Sequence, residues 1–305
     1  MSKAGAPRHD PIPIGEIATP PFSRLPEPER LFRARAARFL ALTQGHDLAP
    51  YLRFLAAISD VQDRVQADLL EPDMPAADAI ARAREFSMPP LDRNKFSSEP
   101  AFETTLDRTF ALSAEIDMPE TAKAALARAA AADAVARDAM VRAVLSDSIP
   151  IETMAQHLYV AAALQVQFAR MAARLDATRL VPVSDGACPS CGGPPVSTMV
   201  VGWIGAHGTR FCSCALCGTL WHVVRIKCVL CGSTKGISYQ HVEGGPEWVK
   251  AETCSECRGY VKILQQHKNP DLDPVADDVA TLGLDLLVRE TGFRRGDVNP
   301  FLLGY

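Results

Sequence analysis

This sequence concentrates its chemistry in sulfur. All nine cysteines of the 305-residue chain fall between positions 188 and 257. Eight of them form four Cys-x-x-Cys pairs: Cys188/Cys191, Cys214/Cys217, Cys228/Cys231 and Cys254/Cys257. Two thiolates held two residues apart on a tight turn make half of a tetrahedral S4 metal site, and a second such turn completes it. A single pair is a moderate signal; four within 70 residues are a strong one.

Spacing suggests which pairs belong together. A shift of 40 residues lays Cys188 on Cys228, Cys191 on Cys231, Cys214 on Cys254 and Cys217 on Cys257, with Gly192 on Gly232. Segments 188–224 and 228–264 therefore read as two copies of one unit. Each copy has a knuckle, 22 intervening residues, a second knuckle and a β-rich exit strand, LWHVVRI or YVKILQQ. The simplest grouping is Cys188, Cys191, Cys214 and Cys217 as a first site, with Cys228, Cys231, Cys254 and Cys257 as a second. A crossed pairing between units stays open. Cys212 lands on Glu252 under the shift, so the repeat does not require it. It reads as a semi-buried free thiol, with a redox thiol or alternate ligand beside Cys214 as the sharper alternative. His207 and His241 fall in turns and His222 in an exit strand; with four sulfurs available to each site, they read as surface or packing residues.

An S4 site suits zinc or a single iron, and spacing does not separate the two. Closed four-thiolate coordination leaves no open position for Lewis-acid chemistry, so stapling a unit too small for its own core is at least part of its role. The chain has no P-loop, no dinucleotide-binding glycine motif and no nucleophile elbow. No Cys-x-x-Cys opens a helix after a strand as a thioredoxin-type pair would. No enzyme active site is expected.

The elements that must position these sulfurs follow from composition. Residues 1–22 read as an extended arm broken by prolines, and 23–183 as a helical domain. The two four-cysteine ribbons then occupy 184–226 and 227–267, and 268–305 forms a C-terminal helix and tail docking on the helical domain. The fold class expected is α+β: an all-α domain followed by two rubredoxin- or zinc-ribbon-like β units and a closing helix. Helices are expected over about 27–44 and 48–70, then from an Asp117 cap to about 146, from about 150 to 175, and over 273–292. Asp133/Arg137 and Asp138/Arg142 are spaced as i,i+4 pairs on the wet face of the third of these. His157 reads as a core histidine and MPPLDRNKFSSEP (88–100) as a loop.

Net charge is −4, distributed as −4 over 1–185, +3 over 186–267 and −3 over 268–305. That +3, with acids interspersed, argues against a nucleic-acid partner. The segment LYVAAALQVQFARMAARL carries Gln165, Gln167 and Arg170, so it reads as a buried helix and no membrane insertion is expected. No apolar targeting region opens the chain, which points to the cytoplasm, where reduced paired cysteines mean metal more often than disulfides.

With the four knuckles, LWHVVRIKC, AETCSECRGYVKIL, ADDVATLGLDLL and NPFL in view, the sequence resembles the formate dehydrogenase accessory protein FdhE family, most closely from Cys188 onward. The resemblance implies a maturation factor for respiratory formate dehydrogenases, binding the catalytic subunit before export by the twin-arginine route. It also implies rubredoxin-like iron in both sites, zinc being the alternative occupant, with the eight paired cysteines as ligands. A homodimer is compatible with it. The competing readings are a rubredoxin-like protein handling electrons or sulfur and a ribbon-type nucleic-acid binder.

Overall fold

The computed structural model describes residues 20–302 apart from 68 and 99, so most of the expected N-terminal arm lies outside the described residues. Among the described residues the first element is a two-residue strand, β1 (Ser23–Arg24), followed by α1 (Pro28–Ala41), α2 (Ala49–Gln66), α3 (Ala77–Glu85) and α4 (Pro100–Ser113). Helices α5 (Glu120–Ala130), α6 (Ala134–Leu145) and α7 (Met154–Ala173) complete the helical body. Proline in the first turn of α1 and of α2 starts both helices where a missing N–H costs nothing. Leu52, Leu55, Ala56, Ser59 and Gln62 recur on one face of α2 at helical spacing and are buried. Helix α7 is buried almost all round and packs on α2, α4, α5 and α6, forming the axis of the domain.

The long helix expected from 117 to 146 is two helices. Asp133 does not pair with Arg137 along one helix; its carboxylate caps α6, accepting from the Ala136 N–H at 2.9 Å. Arg137 instead reaches Glu103 and Asp107 on α4. No side chain caps α5, and Pro119 precedes it. Asp138 and Arg142 do approach at i,i+4, 3.7 Å apart.

The β region comprises β2 (Pro195–Val200), β3 (Arg210–Cys214), β4 (Leu220–Val223), β5 (Ile237–Gln240), β6 (Val249–Cys254) and β7 (Gly259–Gln265). After it come α8 (Ala276–Ala280), α9 (Leu282–Glu290) and β8 (Arg294–Arg295). The two ribbons share one eight-stranded sheet, ordered β1-β4-β3-β2-β7-β6-β5, with β8 beside β7. Each ribbon is an antiparallel three-stranded meander, and the two join through parallel pairing of β2 with β7. Ser23 and Arg24, expected at the start of the helical domain, add a strand to the edge of β4.

The C-terminal helix bends at Thr281 and serves both regions. α8 packs on α1, where Asp277 pairs with Arg38 at 2.6 Å, while α9 packs on β6 and β8. Val275, Val279, Leu282 and Val288 of the expected apolar stripe are buried; Leu286 is exposed and Leu284 takes its place. The bend at Thr281 turns the face. Among the described residues no helix is long and apolar enough to cross a membrane.

Candidate metal centres

The four knuckles meet as two S4 clusters, Cys188/Cys191/Cys214/Cys217 and Cys228/Cys231/Cys254/Cys257, each with its sulfurs within 4.8 Å of one another. The within-unit grouping is the one adopted. Cys188 Sγ lies 3.6 Å from Cys217 Sγ, and Cys191 Sγ 3.4 Å from Cys214 Sγ. In the second cluster the corresponding separations are both 3.8 Å. Four thiolates about 2.3 Å from a central ion at the corners of a regular tetrahedron stand ~3.8 Å apart. The sulfurs therefore match the size of a tetrahedral thiolate site, and no cysteine is in a disulfide. Each cluster could hold one metal ion.

The repeat explains the local geometry. At each first knuckle the glycine N–H returns to the carbonyl of the first cysteine, Gly192 to Cys188 at 2.8 Å and Gly232 to Cys228 at 2.9 Å. Both glycines adopt left-handed backbone, with φ of +77° and +74°. At the second knuckle of the first site, the Leu216 and Cys217 amides donate to Cys214 Sγ at 3.4 Å. Their counterparts Glu256 and Cys257 donate to Cys254. Amides aimed at sulfur stabilise thiolate, the form that binds metal. Burial raises the thiols of Cys188 and Cys191 well above their ordinary value. Burial also opposes the charge on Cys214, but hydrogen bonds from Cys188, Cys191 and Cys217 outweigh it and hold that thiol well below its ordinary value. In the second cluster burial takes Cys228 to about 12, while Cys254 is held low against burial by its two amide donors. A bound dication compensates the charge that burial resists, so the donor set fits a metal.

The two sites differ in their surroundings. All four cysteines of the first are buried, in a hydrophobic core continuous with the helices. The 88–100 segment braces it: the Leu91 N–H donates to Ser190 O at 2.9 Å and the Arg93 N–H to Cys191 O at 3.1 Å, around a 3-10 turn at Arg93–Lys95. Burial opposes charge on Arg93, yet its partner Asp147, with the Cys191 and Cys214 sulfurs beyond, holds the guanidinium above its ordinary value. From α7, Gln165 donates to Ala215 O at 2.8 Å inside the second knuckle while accepting from Gln62 at 2.9 Å. The second site keeps Cys228 and Cys254 buried but exposes Cys231, with Cys257 half-exposed.

Cys212 is fully buried and belongs to neither cluster. Burial, reinforced by Glu252 and opposed by Arg210, pushes its thiol up to about 12, which disfavours thiolate chemistry there. None of His207, His222 and His241 joins a sulfur cluster. His222 packs edge-on to Phe211, and burial lowers its pKa. His157 is buried, its Nδ1 2.7 Å from Thr153 O. Several ribbon cations are already engaged: Arg210 with Glu252 at 2.8 Å, Lys227 with Asp185 at 2.7 Å, and Lys262 with Asp278 and Asp285. The bracing role of Leu91, Arg93 and Gln165 was not readable from the sequence; the one available hint was the polar character of Gln165 in the midst of a mostly apolar helix.

A helical body carrying two four-cysteine ribbons fused into one sheet defines a metal-ribbon protein. The family models described as FdhE N-terminal, FdhE central domain and FdhE C-terminal domain match residues 20–185, 187–225 and 226–302. The chain is 49% identical over 298 residues to a Protein FdhE homolog of Rhizobium meliloti, covering 97% of each chain. It is 36% identical over 284 residues to a Protein FdhE homolog of Edwardsiella ictaluri, covering 91% of this chain and 90% of that one. The crystal structure of the FdhE protein from Pseudomonas aeruginosa superposes with a TM-score of 0.84 at 31% identity, over 93% of this chain and 99% of that one. The chain belongs to the FdhE family.

Proposed function

We propose that this protein is a cytoplasmic accessory factor in the maturation of respiratory formate dehydrogenase. It binds the catalytic subunit before export and catalyses no reaction itself. Its family membership over the whole described chain supports this reading. The observation that carries the rest is the pair of closed S4 tetrahedra fused to a helical body, an arrangement that shapes a surface and leaves no open coordination position.

Cys188, Cys191, Cys214 and Cys217 would hold one metal, and Cys228, Cys231, Cys254 and Cys257 a second. Iron is the proposed occupant of both sites, with zinc as the alternative; iron would supply one-electron redox chemistry and zinc none. The chain's own contribution is to aim amides at sulfur and to exclude water from the first site. The test has two parts. Protein purified without oxygen should carry about two irons per chain, with a visible spectrum that bleaches on reduction; colourless protein with two zincs would assign both sites to structure alone. Tagged protein should capture the formate dehydrogenase catalytic subunit from cells; failure to do so with metal-loaded protein would overturn the accessory role.

The exposure of Cys231 favours a second reading, a rubredoxin-like carrier that passes single electrons through the second site. Sustained oxidation of a chemical reductant coupled to an acceptor would favour it over a binding role.

A further inference from the structure

The head-to-tail arrangement of the ribbons leaves one strand edge without the neighbour its twin has. In the first unit the leading strand β2 gives one edge to β3 and the other, in parallel, to β7, the trailing strand of the second unit. The trailing strand of the first unit, β4, has its outer edge covered by β1. The leading strand of the second unit, β5, pairs with β6 alone among the described residues.

Register identifies the groups that the open edge presents. Residues 212 and 252 are equivalent under the 40-residue repeat; Cys212 stands opposite Thr198, and Glu252 opposite Tyr239. Tyr239 therefore holds the place of Thr198, which registers with Ile263 of β7. The Ser255 N–H donates to Gly236 O at 2.9 Å and the Thr253 hydroxyl to Ser238 O at 3.3 Å, so those carbonyls face β6. Backbone groups alternate along an antiparallel strand, which turns the N–H and C=O of Ile237 and Tyr239 outward. The strand reads Ile-Ser-Tyr-Gln, with none of the charges or prolines that usually blunt an edge, and Tyr239 is 45% exposed.

We infer that the β5 edge is a docking site for an extended segment of the formate dehydrogenase catalytic subunit, added parallel to β5 as β7 is added to β2. This rests on the reading that the protein binds that subunit. The chemistry of the segment follows from its internal model: an extended run carrying aliphatic side chains such as Ile263 and Leu264. A second copy adding in the same head-to-tail sense would have to offer a trailing-strand edge, and β1 fills that edge in every copy. Because Ile237 registers with Cys254, the docked segment would lie one strand from the second metal site.

The test compares Tyr239→Pro with Tyr239→Ala in the full-length, metal-loaded protein. Proline removes an outward N–H and leaves the β5–β6 ladder intact, whereas alanine removes the side chain and keeps the donor. Affinity for the purified catalytic subunit should fall about tenfold more for proline than for alanine. Hydrogen exchange on the unaltered protein should slow at the Ile237 and Tyr239 amides when the subunit binds, a readout independent of how either variant folds. Equal affinities with no slowing would overturn the edge and leave the accessory role standing. No binding by the unaltered protein would overturn the accessory role and this inference with it. Slowing that appears with rising protein concentration alone and vanishes in Tyr239→Pro would assign the edge to a second copy and overturn the proposed occupant.

Discussion

The two sulfur clusters come from one repeated unit and have nearly the same internal geometry, yet they stand in different surroundings. The first is buried on every cysteine and is bonded to the helical body through Leu91, Arg93 and Gln165. The second leans on the C-terminal segment and opens to solvent at Cys231. A duplicated motif does not carry its environment with it. The shared spacing sets how four sulfurs meet; what packs against them decides whether a bound metal is locked into the core or reachable from outside.

The largest effect that would break this contrast comes from removing one ligand at equivalent positions. Cys191→Ser should cost at least about 4 kcal/mol, because a lost metal in the first site leaves unpaired thiols inside the shared core. Cys231→Ser should cost below about 2 kcal/mol, with the helical transition retained. Denaturant unfolding followed by far-ultraviolet circular dichroism measures both, and equal losses would sink the contrast.

Metal removal sharpens the same point. Challenged with an excess of chelator, the metal-loaded protein should release one equivalent at least about ten times faster than the other, because ligand exchange at the first site needs local opening of the core. Cys231→Ser should abolish the fast phase alone. A single-exponential release of two equivalents would mean that exposure does not govern lability here.

The two anchorages should also differ in their response to pH. The second ribbon is held through Lys262, which with Arg295 faces three carboxylates, Asp278, Asp285 and Asp297. Burial raises Asp297 to about 7 even though Arg295 and Lys262 pull it down and Asp278 and Asp285 push it further up. A carboxyl whose folded pKa exceeds its unfolded value binds more protons when folded, so its contribution to stability shrinks as pH rises toward 7. The stability of Asp297→Asn relative to the native chain should therefore improve between about pH 5 and about pH 8. Urea midpoints across that window check the sign, and a flat difference would show that the neighbouring cations hold Asp297 ionised throughout.

What the sequence made legible was what repeats or is local. The 40-residue shift grouped the eight cysteines as the structure does, and α7 was readable from an apolar run interrupted by Gln165 and Gln167. Contacts between distant segments were not legible. Nothing in Ser23–Arg24 announces a strand, because its hydrogen-bond partner, β4, lies almost 200 residues away. The break at 131–133 hid behind alanines that suit a continuous helix, and Asp133 served equally well as an i,i+4 partner or a cap until α4 supplied Arg137 with other carboxylates. The parallel seam between β2 and β7 was not legible either, since it joins the first strand of one ribbon to the last strand of the other, Thr198 against Ile263, and no local spacing reports that pairing.

The smallest effect probes the two second knuckles directly. Gly218 and Arg258 are equivalent under the repeat and both adopt left-handed backbone, with φ of +72° and +57°. Glycine takes that conformation without strain, whereas an L side chain there costs about 1–2 kcal/mol. Arg258 offsets part of this cost by lying over the Phe293 ring, 4.5 Å from its centroid, and by donating to the Thr291 and Gly292 carbonyls. Arg258→Ala discards the offset and keeps the strain, so it should destabilise by about 1 kcal/mol. Arg258→Gly discards both and should be more stable than Arg258→Ala by about 1 kcal/mol, despite the extra chain entropy of glycine when unfolded. At the first site the reverse exchange, Gly218→Ala, adds strain and presses a Cβ to 3.1 Å from Leu31 Cδ2, so it should cost more than Arg258→Ala. Thermal unfolding of the three variants ranks them. If Arg258→Gly proved no better than Arg258→Ala, the backbone of the exposed knuckle would be relaxing out of the left-handed region, something the buried knuckle has no room to do.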